Sequence, residues 1–156
     1  LAEMGCQVTV EPDRITVEGR AQRGIDVDMN DMSDTVQTLA VVAMFVEGET
    51  VIRNVAHNRH KETDRIGNLA VELRKLGAVV QERKDGLSIS RGSPRPATVE
   101  TYDDHRMAMS LSLAGLNVDG VVISDPDCTR KTYPDYFRDL EAVVETSRGS
   151  PGGDAR

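Results

Sequence analysis

The chain has 156 residues, 38% hydrophobic and 29% charged, which suffices for one domain with a core of its own. Its formal net charge of −7 excludes broad attraction to nucleic acid or to an anionic membrane surface, so any anion site must come from local clustering. Two cysteines, Cys6 and Cys128, are too few for a disulfide framework and fit a reducing, cytoplasmic compartment, and no apolar run is long enough to cross a bilayer.

Leu1 to Gly5 reads as the last turn of a helix stopped by a glycine, so the chain is expected to be a fragment that begins inside an element. Ile25, Val27 and Met29 alternate with Asp26 and Asp28, which predicts a half-buried strand. Asp34 with Gln37 forms a capping box for a helix from about Thr35 to Val46, apolar on nearly every side and therefore buried. Gly48 stops it, and Thr50 to Val55 reads as the next strand. A second helix carries Ile66, Leu69, Ala70, Leu73 and Leu76 on one face and ends at Gly77. Val79 to Glu82 and Leu87 to Ser90 flank Lys84-Asp85-Gly86 as a hairpin. From His105 a helix with Met107, Met109, Leu111 and Leu113 reads as core, and residues 147–156 read as a disordered tail.

An internal repeat organises these elements. Gly5, Asp13, Ile15 and Val17 recur as Gly77, Asp85, Leu87 and Ile89 at a shift of 72, and Asp34 and Lys61 recur as Asp104 and Lys131 at a shift of 70. Self-similarity at this period means stacked copies of one supersecondary unit, here strand, helix, strand, helix, hairpin. The expectation is an α/β domain, residues 1–146, holding the tail of one unit, a full unit at about 24–91, and from about Thr98 a third unit without its hairpin.

Chemistry concentrates in a few segments. Lys61-Glu62-Thr63-Asp64-Arg65 puts cations and a carboxylate within one helical turn, close to a helix start whose free N–H groups favour anions. His57 and His60 lie just ahead of it, and His105-Arg106 opens the apolar helix. Each residue also has a plain structural role: Asp34 as a helix cap, Lys61 and Glu62 as solvated charges, and Lys131 as a surface lysine ahead of a possible capping box, Thr132 with Asp135. A metal-dependent hydrolase built on His57, His60, Glu62 and Asp64 is a second reading, opposed by the interleaved cations. A non-catalytic repeat domain used for partner contact is a third.

Four segments in order weigh against the plain roles. Asp28-Met29-Asn30 with Ser33-Asp34, Lys61 to Arg65, Tyr102 to Met109, and Asp125 to Thr132 resemble the enolpyruvyl transferases, and among them the shikimate-pathway branch that makes 5-enolpyruvylshikimate 3-phosphate. The sister branch acting on UDP-N-acetylglucosamine lacks the Lys-Glu-Thr-Asp-Arg pattern. The resemblance implies an inside-out α/β barrel domain of repeated βαβαββ units, of which this chain carries most of the C-terminal half. It also implies transfer of the enolpyruvyl group of phosphoenolpyruvate to the 5-hydroxyl of shikimate 3-phosphate, with no cofactor and no metal. The partners implied are those two substrates and a missing N-terminal domain that completes the cleft, in a protein that is monomeric at full length.

The residue roles follow from the same resemblance. Arg65, Arg106 and Lys131 are expected to contact phosphoenolpyruvate, Lys61 the phosphoshikimate, and His105 to orient or donate to the phosphate. Asp34 is expected to take the hydroxyl proton, and Glu62 to deliver and later remove the proton on carbon. His57 stands where many members carry a substrate-contacting asparagine, with Asn58 beside it. As ligand-facing cations, Arg65, Arg106 and Lys131 are expected to be replaceable without loss of the fold. The fragment alone is expected to be inactive.

Overall fold

The computed structural model describes residues 1–149. Strands β1 (Gln7–Val10) and β2 (Ile15–Glu18) form an antiparallel hairpin. Strand β3 (Asp26–Asp28) passes through a 3₁₀ segment, Asn30–Thr35, into α1 (Val36–Ala43) and then β4 (Glu49–Arg53). A short 3₁₀ turn, Ala56–His60, precedes α2 (Gly67–Lys75), after which β5 (Val79–Arg83) and β6 (Gly86–Ser90) make the second hairpin. The remainder is β7 (Thr98–Val99), α3 (His105–Ser112), a 3₁₀ turn at Leu113–Leu116, β8 (Val122–Ile123), a 3₁₀ turn at Pro126–Lys131, and α4 (Tyr136–Gly149). Among the described residues no helix is long and apolar enough to cross a membrane.

The central sheet runs β3-β4-β6-β5. Strands β3 and β4 are parallel, which requires a crossover, and α1 supplies it. Strands β4 and β6 are antiparallel, with Ile52 opposite Leu87 and Thr50 opposite Ile89. Strand β6 is central and so is buried along nearly its whole length, while β5 lies at the edge and alternates less completely. A smaller parallel pair, β7 with β8, follows, and its crossover contains α3.

One apolar core joins these layers. Val36, Ala40, Val41 and Met44 from the α1 region meet Ile52 of β4, Leu69 and Leu73 of α2, Leu87 and Ile89 of β6, and Met107 and Leu111 of α3. At roughly 1.5–3 kcal/mol per fully buried large apolar side chain, this burial is the main source of stability. Helices α1 and α3 also share a hydrogen bond between the Thr38 and Ser110 hydroxyls, 3.0 Å.

The glycine stops repeat in their geometry. The N–H groups of Gly5 and Cys6 donate to the carbonyls of Ala2 and Leu1, and those of Gly77 and Ala78 donate to Arg74 and Leu73. Both glycines have positive φ, 109° and 93°, so each is the left-handed residue of a Schellman-type pattern, which at Gly77 ends α2 and at Gly5 closes a single hydrogen-bonded turn.

Four sequence expectations change. The helix foreseen from Thr35 to Val46 is shorter: the chain kinks at Met32 (φ −134°, ψ 37°) through the 3₁₀ segment, and beyond Ala43 it tightens, with Met44 and Phe45 donating three residues back. The Asp34–Gln37 capping box does not form, because the Asp34 carboxylate is taken by two arginines and Gln37 is fully buried in α1. The strand foreseen to Val55 ends at Arg53, since Asn54 turns the chain with φ 63°. Helix α4 runs through Gly149, past the expected start of the tail at 147, and residues 150–156 lie outside the described residues.

Candidate functional site

The site assembles around Arg65. Its backbone N–H donates to the Asn58 carbonyl at 3.0 Å, and Asn58 in turn donates through Nδ2 to the Ser33 carbonyl at 2.9 Å. The following residue, Ile66, is fully buried and fixes the guanidinium at the end of the core. Arg65 is itself only 1% exposed, and buried arginine is tolerated only when its donors are paired.

Three carboxylates pair it. Nε and Nη2 donate to the two oxygens of Asp104 at 2.7 and 3.1 Å, a bidentate fork. Nη2 also donates to Glu62 at 2.6 Å, and Nη1 to Asp34 at 3.3 Å. Asp34 extends the cluster, because its second oxygen accepts from Arg106 Nη2 at 2.9 Å. These carboxylates differ in exposure: Asp104 is fully buried, whereas the Glu62 and Asp34 side chains are 38% and 48% exposed. Asp104 is a fixed counter-ion, and the other two face the solvent side of the cluster.

Both helix starts beside the site are occupied from within. Asp64 Oδ1 accepts from the N–H groups of Ile66 and Gly67 at 3.0 and 2.9 Å, and Asp104 Oδ1 accepts from the N–H of Arg106 at 2.8 Å. The sequence expectation that Lys61 and Glu62 sit in a helical turn with open N–H groups is therefore corrected. Residues 61–64 form a loop ahead of α2, with Lys61 extended (φ −87°, ψ −150°).

Charge settings follow this packing. Burial pushes the Asp104 carboxyl up, but the Arg65 side chain, the Arg106 N–H and the Arg65 charge outweigh it, and the group sits below the ordinary carboxylate range. For Asp64, burial is likewise overcome by the Gly67 and Ile66 N–H groups and by Arg59, so it too stays ionised more firmly than usual. His105 is buried and its Nδ1 has no hydrogen-bond partner. Burial lowers its pKa, Asp104 opposes that, and the Arg106 and Lys131 charges add to it, with a net displacement toward the neutral ring. Lys131 thus acts on His105 across space, from the end of the turn Pro126–Lys131.

The predicted residues fall into groups. Asp34, Glu62, Arg65 and Arg106 form one ion-paired cluster, with His105 and Lys131 beside it. Lys61 and Lys131 are exposed and, among the described residues, form no ion pair. His57 is exposed on the turn Ala56–His60, and it is the adjacent Asn58 that ties into the framework. Among the described residues no group of three or more His, Cys, Asp or Glu could hold a metal ion, so His57, His60, Glu62 and Asp64 do not make the metal set of the hydrolase reading.

Two contributors escaped the sequence reading as parts of this framework. Asp104 was visible as the repeat partner of Asp34 and within the Tyr102 to Met109 segment, but not as the counter-ion of Arg65. Glu72, fully buried on α2, accepts from the Tyr102 hydroxyl at 2.6 Å, the Glu100 N–H at 3.1 Å and Lys75 at 2.9 Å. Those bonds anchor the segment entering Asp104, where Tyr102 and Asp103 both take the left-handed conformation (φ 56° and 55°).

Comparison with known proteins shows the family. The profile of the EPSP synthase (3-phosphoshikimate 1-carboxyvinyltransferase) family matches residues 1–140. The chain belongs to this family. A 3-phosphoshikimate 1-carboxyvinyltransferase of Nostoc punctiforme is 54% identical over 146 residues, covering 93% of this chain and 34% of the relative. The chloroplastic enzyme of Brassica napus is 48% identical over 154 residues, covering 93% of this chain and 30% of the relative. The solved EPSP synthase of Acinetobacter baumannii superposes with a TM-score of 0.82 at 28% identity, over 91% of this chain and 37% of that one. The enolpyruvyl transferase NikO of Streptomyces tendae gives 0.73 at 26% identity, over 92% and 33%. The chain thus spans about a third of the length of its EPSP synthase relatives.

Proposed function

We propose that the protein containing this chain transfers the enolpyruvyl group of phosphoenolpyruvate to the 5-hydroxyl of shikimate 3-phosphate, releasing phosphate, and that this chain supplies one wall of the cleft. The observation that carries the reading is the Arg65 cluster, in which two arginines are held by two part-exposed carboxylates over a buried third. Family membership gives that cluster its chemistry.

An arriving substrate anion competes with Asp34 and Glu62 for Arg106 and for the outer face of Arg65. Asp104 remains in place and keeps the Arg65 guanidinium rigid, so no reorganisation is needed when charge develops. Released from the arginines, Asp34 is the base toward the 5-hydroxyl, and Glu62 gives the methylene carbon its proton and takes one back when phosphate leaves. Lys131 and Arg106 meet the phosphoenolpyruvate oxygens, and Lys61 meets the phosphoshikimate. His105, displaced toward the neutral ring, orients the phosphate by a hydrogen bond rather than by charge. His57 lies at the margin of the shikimate side.

The other half of the cleft belongs to an N-terminal domain outside this chain, and the two together make a monomeric enzyme with two barrel-like domains of repeated βαβαββ units. The shared glycine stops and the order β3, α1, β4, α2 followed by β7, α3, β8, α4 support that architecture. Cys6 and Cys128 are both free thiols, which suits a reducing, cytoplasmic setting. The test is phosphate release by the full-length protein with phosphoenolpyruvate and either shikimate 3-phosphate or UDP-N-acetylglucosamine. Turnover with the first acceptor and none with the second is expected. The reverse preference would move the chain to the sister branch.

A further inference from the structure

Asn58 joins the two segments that carry Asp34 and Glu62, and it does so from behind the site. It is fully buried on the turn Ala56–His60. Its N–H donates to the Val55 carbonyl at 2.9 Å, and the N–H of Val55 donates to the Asp85 carbonyl at 2.8 Å, so the turn is seated on the end of the second hairpin. Its carbonyl accepts from the Arg65 N–H at 3.0 Å, which closes the loop carrying Lys61 and Glu62. Its side-chain Nδ2 donates to the Ser33 carbonyl at 2.9 Å, immediately ahead of Asp34 and 25 positions away in the chain.

For stability alone the amide is a poor occupant of this place. Asn58 Oδ1 is buried and, among the described residues, receives no hydrogen bond. The Ser33 carbonyl does not depend on Nδ2, because it also accepts from the Val36 N–H. Replacing the amide by apolar atoms therefore removes one stranded acceptor and strands no partner, a change that is close to neutral when the shape is kept. What the amide adds is the tie between Ser33 and the loop.

We propose that Asn58 is a positioning residue, which through its bond to the Ser33 carbonyl keeps Asp34 in register with Glu62 during turnover. The role rests on the enolpyruvyl-transfer reading, in which both carboxylates act on one pair of substrates. In the structure Arg65 holds the two together, at 3.3 Å from Asp34 and 2.6 Å from Glu62. Substrate anions compete for those same arginine donors, so the ion pairs loosen at the moment when the spacing of the carboxylates matters. The bonds of Asn58 involve neither carboxylate and survive that exchange. Loss of the amide is thus felt in the loaded enzyme, where small misplacements of reacting groups are expensive, and much less in the free protein, which keeps its ion pairs.

The experiment is steady-state phosphate release by the full-length protein from phosphoenolpyruvate and shikimate 3-phosphate, with urea unfolding of each variant alongside. Asn58→Leu and Asn58→Ala bracket the size of the side chain without a donor, and both should lower kcat roughly tenfold while each KM stays within about twofold and the protein remains folded in the assay. Asn58→Asp keeps the shape, and its carboxyl can donate to Ser33 only when protonated, a form that burial favours. Its kcat relative to wild type should therefore recover as pH falls, whereas that of Asn58→Leu should not; the leucine and alanine variants decide the matter if the buried carboxylate prevents folding. Wild-type kcat in Asn58→Leu and Asn58→Ala, a loss no larger than the loss of folded protein, or an aspartate variant that follows the leucine variant at every pH would each overturn the role and leave the enolpyruvyl-transfer reading standing. A wild type that releases no phosphate from these substrates would overturn that reading, and this role with it.

Discussion

Arg65 and Asp104 face each other inside the protein, joined by two hydrogen bonds of 2.7 and 3.1 Å although they lie 39 positions apart in the chain. The pair links the start of α2 to the start of α3 and so ties the complete unit to the one that follows.

The first consequence is for stability. Arg65→Ala leaves a fully buried carboxylate without its counter-ion, which costs about 3–5 kcal/mol in comparable cases. The sequence expectation that Arg65, Arg106 and Lys131 are alike in being dispensable for the fold therefore fails at Arg65. Urea unfolding should show Arg65→Ala strongly destabilised and Lys131→Ala within about 0.5 kcal/mol of wild type. Equal losses in both would show that the Arg65–Asp104 pair does not set the difference.

The second concerns acid. The Asp104 pKa in the folded protein lies below its ordinary value of 3.8, so its contribution to stability is present above that value and is lost as pH falls through the folded pKa. Wild-type stability should drop steeply below about pH 4, and Asp104→Asn should be less stable at neutral pH with a flatter acid limb. An acid limb of the same slope in Asp104→Asn would place the sensitivity elsewhere.

The third is the state of His105. Its pKa is displaced below 6.5, so the folded protein prefers the neutral ring and loses stability as pH falls from 6.5 through the lower folded value. Nuclear magnetic resonance titration of the His105 ring should give a midpoint below 6.5. Lys131→Met should raise that midpoint, because the Lys131 charge disfavours protonation. No change in the midpoint would separate Lys131 from this site.

The fourth concerns the anchor behind the cluster. Tyr102 donates to the buried Glu72 carboxylate, and burial of the phenol together with that bond and charge pushes its pKa up. Removing a hydrogen bond to a charged group typically costs about 1.5–3 kcal/mol, so Tyr102→Phe should lower stability by that order while leaving the Arg65 environment unchanged. A neutral effect on urea unfolding would mean that Lys75 and the Glu100 N–H suffice for Glu72.

Much of this arrangement is legible in the sequence. The 72-residue spacing locates both hairpins, and the apolar faces of α2 and α3 follow from Leu69, Leu73, Met107 and Leu111. Asp34, Glu62, Arg65 and Arg106 can be singled out from their motifs. What sequence does not reveal is which charges neutralise which. Asp34 has the spacing of a helix cap and instead bridges Arg65 and Arg106, two arginines that only the tertiary fold brings to it. Asp64 carries the spacing of a ligand and instead caps α2. Asp104 occupies the same place in its unit as Asp34, yet one is fully buried and the other half-exposed, a difference set by tertiary packing rather than by local pattern.

The central claim is that Asp34 and Glu62 are working carboxylates held by arginines until substrate arrives. The most direct measurement is the steady-state rate of phosphate release from phosphoenolpyruvate and shikimate 3-phosphate by the full-length protein carrying Glu62→Gln. A fall in kcat of about a hundredfold, near 2.7 kcal/mol, is expected with KM changed far less, and a comparable loss for Asp34→Ala. A kcat for Glu62→Gln equal to that of the wild type would contradict it and leave Glu62 as no more than a counter-ion of Arg65.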